Sequence, residues 1–212
     1  MAKLKAPLLS FGASGQIAKT LVYLPWKGLN CVRSYVIPAN PKTTGQVTQR
    51  GYITAAVEKI HEALAAAANP IGEADVQAYA LWANQYASPR TWFNQAIKNW
   101  ADVKVAVKKP VIFSGGSCTD TDKTDALLDI FLNEETPSDL VAATFFYGTS
   151  PTALINSIVG VVVAGVNVSL TDAAGISGLT AGVKYYWQLR ADALDPCEGA
   201  RSGIYHFTAT TV

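Results

Sequence analysis

Cysteine is scarce and odd in number: Cys31, Cys118 and Cys197 are the only three in 212 residues. That excludes the dense disulfide framework that staples small secreted domains. The segments around the last two read as strands. They place Cys118 in the loop after a first strand and Cys197 in a last hairpin, at opposite ends and beyond the roughly 7 Å reach of a disulfide. Three free thiols suit a reducing cytoplasm. Histidine is scarcer still, with His61 expected on a helix surface and His206 on an exposed strand. The two fall in different halves of the chain, and no Ser or Cys stands in a nucleophile-elbow context, so no catalytic site is expected. Long apolar runs are missing too. The longest candidate, Ile155 to Val168, is β-branched and broken by glycines and asparagines, and it falls short of the ~20 residues of a spanning helix; it reads as strand. The start, Met1 to Ser10, is basic but lacks a continuous apolar core leading to a small-residue cleavage site, so no signal peptide is expected.

What the chain does have is apolar mass and a divided charge. Half of its residues are hydrophobic, enough to bury one large core or two small ones. The net charge of +1 hides a reversal: residues 1–109 hold 13 Lys and Arg against 5 Asp and Glu, and residues 110–212 hold 4 against 11. A dipolar chain of this kind can pair head to tail with copies of itself, or rest its basic half on an acidic surface.

Thr20–Leu24 and Cys31–Ile37 are β-rich runs around Pro25-Trp-Lys-Gly-Leu-Asn30, a hairpin pattern. Pro38 to Thr43 is extended, because two prolines within four residues disfavour helix. Thr43 to Gln46 fits a capping box. Val47, Ile53, Val57, Ile60 and Leu64 then recur at helical spacing until Asn69-Pro70. A second helix is predicted from Glu73 to Ala87, with Val76, Tyr79, Ala80 and Ala83 on one face. A third follows Ser88-Pro89 as cap and first turn, with Phe93, Ala96, Ile97 and Trp100 as its stripe. Val103 to Pro110 reads as an extended link, and the domain boundary is placed near 106.

Candidate chemical motifs fail on spacing. Gly12-Ala-Ser-Gly-Gln-Ile-Ala-Lys-Thr20 lacks the glycine spacing and the adjoining Lys-Ser/Thr of a phosphate loop, and reads as a flexible or turn-forming segment. Asp120-Thr-Asp-Lys-Thr-Asp125 with Asp129 lacks the mid-loop Gly and closing Glu of a calcium loop, since Phe131 stands at the twelfth position; it reads as a solvated acidic loop. Glu134 and Glu135 are adjacent and point apart. No cofactor or metal is expected. The basic half carries Tyr23, Trp26 and Tyr35, but its cations are scattered, with Lys108-Lys109 the only adjacent pair, and no nucleic-acid motif is visible.

Two resemblances add to this reading. Leu179-Thr-Ala-Gly-Val-Lys-Tyr-Tyr-Trp-Gln-Leu-Arg-Ala191, then Ser202-Gly-Ile-Tyr-His-Phe-Thr208, with Phe145 to Leu154 as a middle strand and turn, resembles a fibronectin type III-like (immunoglobulin-like) module. It implies an antiparallel β-sandwich in which the Tyr185 hydroxyl ties a corner to the backbone. In the first half, Gly12, Gly15, Val22-Tyr23, Trp26-Lys-Gly28, Val32-Arg33, Pro38, Asn40-Pro-Lys-Thr43, Gln46, Gln49 and Arg50 follow one another in order. This is similar to a pattern in tailed-bacteriophage proteins and implies a virion structural protein.

The expected fold is α+β in two domains. Residues 1–106 form a basic docking domain of a β-hairpin plus three helices, and residues 107–212 an acidic sandwich. The expected function is non-enzymatic: a head decoration or cement protein, assembled in the host cytoplasm and resident in the virion. Its partners would be capsid or tail subunits and copies of itself, with no nucleic acid and no membrane. Trp26, Lys27, Arg33 and Arg50 are the candidate docking residues, because a turn-tip Trp and flanking cations supply an apolar anchor and charge. Alternatives are a tail component, or an adhesion module meeting host-surface glycans through Glu134–Ser138 and Asp192–Ser202.

Overall fold

The computed structural model describes residues 2–4, 14–37, 39, 42–122, 125–133, 139–163, 165–170 and 175–210. The chain is α+β, with three helices and three antiparallel four-stranded sheets. It divides into two compact units, residues 1–44 and 45–212.

The first unit is a sheet of β1 (Ala2–Leu4), β2 (Gly15–Ile17), β3 (Leu21–Trp26) and β4 (Leu29–Ser34), ordered β1-β4-β3-β2. The expected hairpin is present, but its strands run further toward the tip. Trp26 pairs with Leu29 and only Lys27 and Gly28 turn, at φ 48° and 77°. A two-residue turn with both central residues at positive φ matches the twist of its strands, and Gly28 takes such a φ without strain. Gly15–Ile17, expected to be flexible or turn-forming, is instead a strand against β3, because the turn at Ala18-Lys19 folds it back.

The second unit opens with α1 (Thr44–Leu64), α2 (Glu73–Ala83) and α3 (Trp92–Val105). The buried face of α1 is Ala56, Ile60 and Ala63, while Val47, Ile53 and Leu64 from the expected stripe are exposed. Small side chains let the helix approach its neighbours closely, so the covered face is not the most hydrophobic one. α2 ends at Ala83, four residues short of the expected Ala87. α3 begins after Thr91 and not at Ser88-Pro89, since Thr91 Oγ1 accepts from the Asn94 N–H at 3.3 Å. It continues through Val105, where an extended link was expected.

Two sheets follow. One is β5 (Ile112–Asp122), β6 (Asp125–Asn133), β10 (Asn167–Ser169) and β9 (Val161–Val163); the other is β12 (Tyr205–Thr208), β11 (Lys184–Ala191), β7 (Ala143–Gly148) and β8 (Asn156–Val159). Cys118 therefore lies within a strand and not in a loop. Phe113, Leu128, Ile130 and Val168 from the first sheet share a core with Phe145, Trp187 and Leu189 from the second. Trp187 stacks on Tyr205 at 4.6 Å and meets Phe145 edge-on at 5.6 Å. The chain changes sheets between β8 and β9 at Gly160, whose N–H donates to Ala143 O at 2.9 Å. A Cβ there would lie 2.5 Å from Val168 Cγ1 and 2.9 Å from the Phe145 ring, so only glycine fits the crossing. The expected corner tie is present: Tyr185 Oη accepts from the Thr180 N–H at 3.0 Å.

The expected boundary near 106 is not where the chain parts, because α2 is joined to the edge strands β5 and β12. Asp75, at the third position of α2, is buried. Its Oδ2 accepts from the Gly72 N–H at 2.8 Å, and its Oδ1 from Tyr205 Oη at 2.6 Å and from the Gly116 N–H at 3.4 Å. Gly115 takes φ +62° in a bulge of β5 that turns the Gly116 N–H toward this carboxylate. Tyr79 Oη donates to Phe113 O at 3.2 Å, and the Ile204 N–H donates to Ala78 O at 3.0 Å. Burial first, then the charge of Asp75, raises the Tyr205 pKa well above its ordinary value, which keeps the hydroxyl a donor. Gly203 lies so close to α2 that a Cβ would sit 2.7 Å from Tyr79 N.

Tyr205→Phe removes one of the donors to a buried carboxylate and is expected to cost about 1–3 kcal/mol. Gly203→Ala is expected to cost about 1–3 kcal/mol by overpacking. Lys98→Ala, which breaks only the exposed Lys98–Asp102 pair, should change stability by less than about 1 kcal/mol. Urea unfolding of the three variants checks this order; a neutral Tyr205→Phe would remove the joint from the account.

Candidate functional site

Three of the four candidate docking residues lie on the first sheet. The pairs Trp26↔Leu29, Leu24↔Cys31 and Val22↔Arg33 put Trp26, Leu29 and Arg33 on one face. Trp26 and Leu29 stand together at the turn, and Arg33 lies four residues along, about 13 Å away at ~3.4 Å per residue. Trp26 is 54% exposed and Leu29 44%. Lys27 is at the tip itself, and Arg33 is exposed. Arg50 lies in the other compact unit, on α1, and is exposed there. Pro38, Asn40 and Pro41 of the same pattern lie outside the described residues.

This unit is electrostatically one-sided. Residues 1–44 contain six Lys and Arg and no Asp or Glu, whereas residues 45–212 contain 11 against 16. Among its described side chains only Cys31 is buried, and neither hydrophobic core cluster takes a residue from it. Counted by compact units, the net charges are +6 and −5, a smaller difference than the +8 and −7 found at 109, but the first unit carries no acidic residue at all.

The second unit has two open depressions near the β11 strand. The larger, about 450 Å³, lies between α2 and the sheet edge, with Gln77, Leu81, Cys118, Tyr186 and His206 among its walls. Lys184 Nζ stands 5.4 Å from the Tyr186 ring centroid, and Tyr186 meets His206 edge-on at 6.1 Å. Burial first and the Lys184 charge second lower the His206 pKa from its ordinary 6.5. The smaller, about 310 Å³, is formed by the end of β11 and the loop before β12, with Phe146 and both Arg190 and Arg201 in its walls.

Both histidines are exposed, as expected, with His61 against Phe93 at 5.8 Å. None of the three cysteines, all of them described, is in a disulfide. Among the described residues no group of three His, Cys, Asp or Glu side chains is placed to hold a metal. Of the acidic run, residues 120–122 end β5 and residues 125–129 open β6, where a loop was expected, and residues 123–124 lie outside the described residues; Asp129 Oδ1 accepts from Asn167 Nδ2 at 2.8 Å, and the other carboxylates of the run lie outside the described side chains. Glu134–Ser138 also lies outside the described residues. Sequence reasoning missed Asp75, although an acidic residue three positions after a helix cap is a readable signal. It also missed the Arg190–Arg201 pairing, which only strand register reveals.

No protein-family model, curated protein or solved structure matches this chain.

The lowered His206 pKa sets a sign for pH dependence. Above about 6.5 the side chain is neutral in both states; as pH falls below that, the unfolded chain takes the proton first and stability drops, until the folded side chain protonates as well. Thermal melts from pH 7 to pH 5 are expected to show a smaller decline for His206→Gln than for the parent; identical slopes would reject the assignment.

Proposed function

We propose that the chain is a non-enzymatic structural protein of a bacteriophage virion, docking through its first unit and displaying a fibronectin type III-like sandwich. Head decoration is the favoured location, with a tail position as the alternative. The observation that carries this reading is the first unit itself: six cations, no carboxylate, and an exposed Trp26–Leu29 pair on a sheet with almost no buried side chains of its own. A sheet this small gains little from burial alone, and its large apolar side chains gain most when a neighbour covers them. Aromatic anchors flanked by cations are how such contacts concentrate their energy, and the uniform charge steers the unit to an acidic subunit surface.

The strand order of the second unit supports the sandwich reading. Sheets β5-β6-β10-β9 and β12-β11-β7-β8, a shared core around Trp187, and the Tyr185 corner support reading the second unit as a fibronectin type III-like module. Its excess of carboxylates suits an outward-facing body that stays soluble on a crowded shell.

Reconstitution onto phage heads that lack the protein tests the role. The full chain is expected to bind in many copies, to lose affinity as salt rises, and to restore resistance to heat and osmotic shock. Trp26→Ala and Arg33→Glu should each lower occupancy about tenfold or more, as hot-spot losses do. Heads that bind no protein, or that gain no resistance when coated, would overturn the proposal.

A further inference from the structure

Arg190 and Arg201 face each other across neighbouring extended segments. The flanking bonds, Ala191 N–H to Ala200 O and Ser202 N–H to Leu189 O, both 3.0 Å, make this a non-hydrogen-bonded pair. In such pairs the Cα atoms approach to ~4.5 Å and the side chains emerge together on one face. Like charges placed directly opposite are destabilising. Neither guanidinium has a carboxylate partner among the described residues.

The local carboxylates are committed elsewhere. Asp192 Oδ1 accepts from Thr144 Oγ1 at 2.7 Å, and Glu198 pairs with Lys108 at 2.9 Å, which holds Glu198 below the usual carboxylate range. Lys108 thus neutralises Glu198, and of the two carboxylates lining the depression only Asp192 has no cationic partner among the described residues.

Arg190 is also pre-positioned. Its Nε donates to Gln188 Oε1 at 3.0 Å, and Gln188 is itself buried, with Nε2 donating to Ser202 O at 2.8 Å. The guanidinium lies over the Phe146 ring, 4.4 Å from its centroid. Stacking and the Nε bond fix the plane and leave the terminal nitrogens as donors, the fork that matches an oxyanion. Burial, and then the Arg201 charge, lower the Arg190 pKa, consistent with two cations held together without a counter-ion.

We infer that Arg190 and Arg201 form a binding site for a small hydroxylated oxyanion, a sugar carboxylate or a sugar phosphate. The guanidinium pair takes the anionic group. The bonds to Thr144 and Lys108 engage Asp192 Oδ1 and Glu198 Oε2, and the second oxygen of each carboxylate, on the same walls, accepts from the hydroxyls. The cavity of about 310 Å³ suits one sugar ring, being at the lower end of the ~300–1,000 Å³ of small-molecule sites. Phe146 is covered by Arg190, so recognition is by charge and hydrogen bonds and not by ring stacking. The site is independent of the docking role of the first unit, and Arg201, Asp192 and Glu198 belong to the 192–202 loop that the sequence marked for surface contacts, while Arg190 and Phe146 come from β11 and β7.

The test is isothermal titration of the full chain with glucuronate, glucose 6-phosphate, inorganic phosphate and glucose, repeated at high salt. One-to-one binding of both sugar anions is expected, weakened by salt, with no heat from glucose and weaker binding of inorganic phosphate. Arg201→Gln alters an exposed side chain and relieves the like-charge pair; it should melt at or above the parent temperature and lose about tenfold or more in affinity for the sugar anions, the loss of a charged hydrogen bond. Arg190→Lys, which keeps charge but loses the fork, should weaken binding as well. Absence of binding in the parent, equal binding of glucose, equal binding of inorganic phosphate and glucose 6-phosphate, or unchanged affinity in a folded Arg201→Gln would each overturn the inference.

Discussion

The second unit depends on one buried carboxylate. Asp75 sits where three parts of the chain converge: the start of α2, the bulge of β5 and the first residue of β12. A buried charge without donors is expensive, and Asp75 has donors from each of these parts, with the positive end of its own helix beside it. Forming the helix start alone satisfies only one of its oxygens. The other is satisfied only when the strands are in place, so this side chain couples the start of α2 to both sheets, beside the apolar packing of Ile112 and Ile204 on the helices.

The close approaches around that joint follow from it. Tyr205 can reach Asp75 only because Gly116 offers no side chain to its ring, and α2 can lie against the start of β12 only because Gly203 has none either. Tyr205 in turn stacks on Trp187, so the polar joint and the apolar core meet in one residue. The same α2 gives the sheet edges a cover, with Tyr79 and Ala78 taking up polar groups of β5 and β12 that an open edge would leave unpaired.

The first unit follows the opposite rule. It has strand pairing and tight turns, only Cys31 is buried among its described side chains, and its charge has one sign. Its β-structure is held by backbone hydrogen bonds, and its large side chains at the Lys27-Gly28 tip point to solvent. A body with a satisfied core and a basic sheet with an unsatisfied apolar face are the two halves of the proposed role, one for display and one for attachment.

Local signals were legible in the sequence. The helices appeared at their periodic runs, the hairpin at its Lys-Gly turn, and the Tyr185 corner at the Leu-Thr-Ala-Gly-Val-Lys-Tyr stretch, because each is set by residues within a few positions of one another. Trp26, Lys27 and Arg33 could be placed on one hairpin for the same reason. The boundary near 106 was read from an apparent extended link, Val103 to Pro110, beside a reversal of charge, but neither a short link nor surface charge carries information about which elements share an interior. Tyr205 and Asp75 are 130 residues apart, and the facing of Arg190 and Arg201 depends on strand register. The face of α1 that is covered, Ala56 and Ala63 beside the expected Ile60 in place of Val47, Ile53 and Leu64, depends on how closely its neighbours approach. The sequence by itself determined the elements, the turns and the division of charge, since these rest on short-range backbone preference and composition; only the tertiary structure decided which elements form one body and which side chains meet, because contacts across the chain are selected by packing and by the need to satisfy buried polar groups.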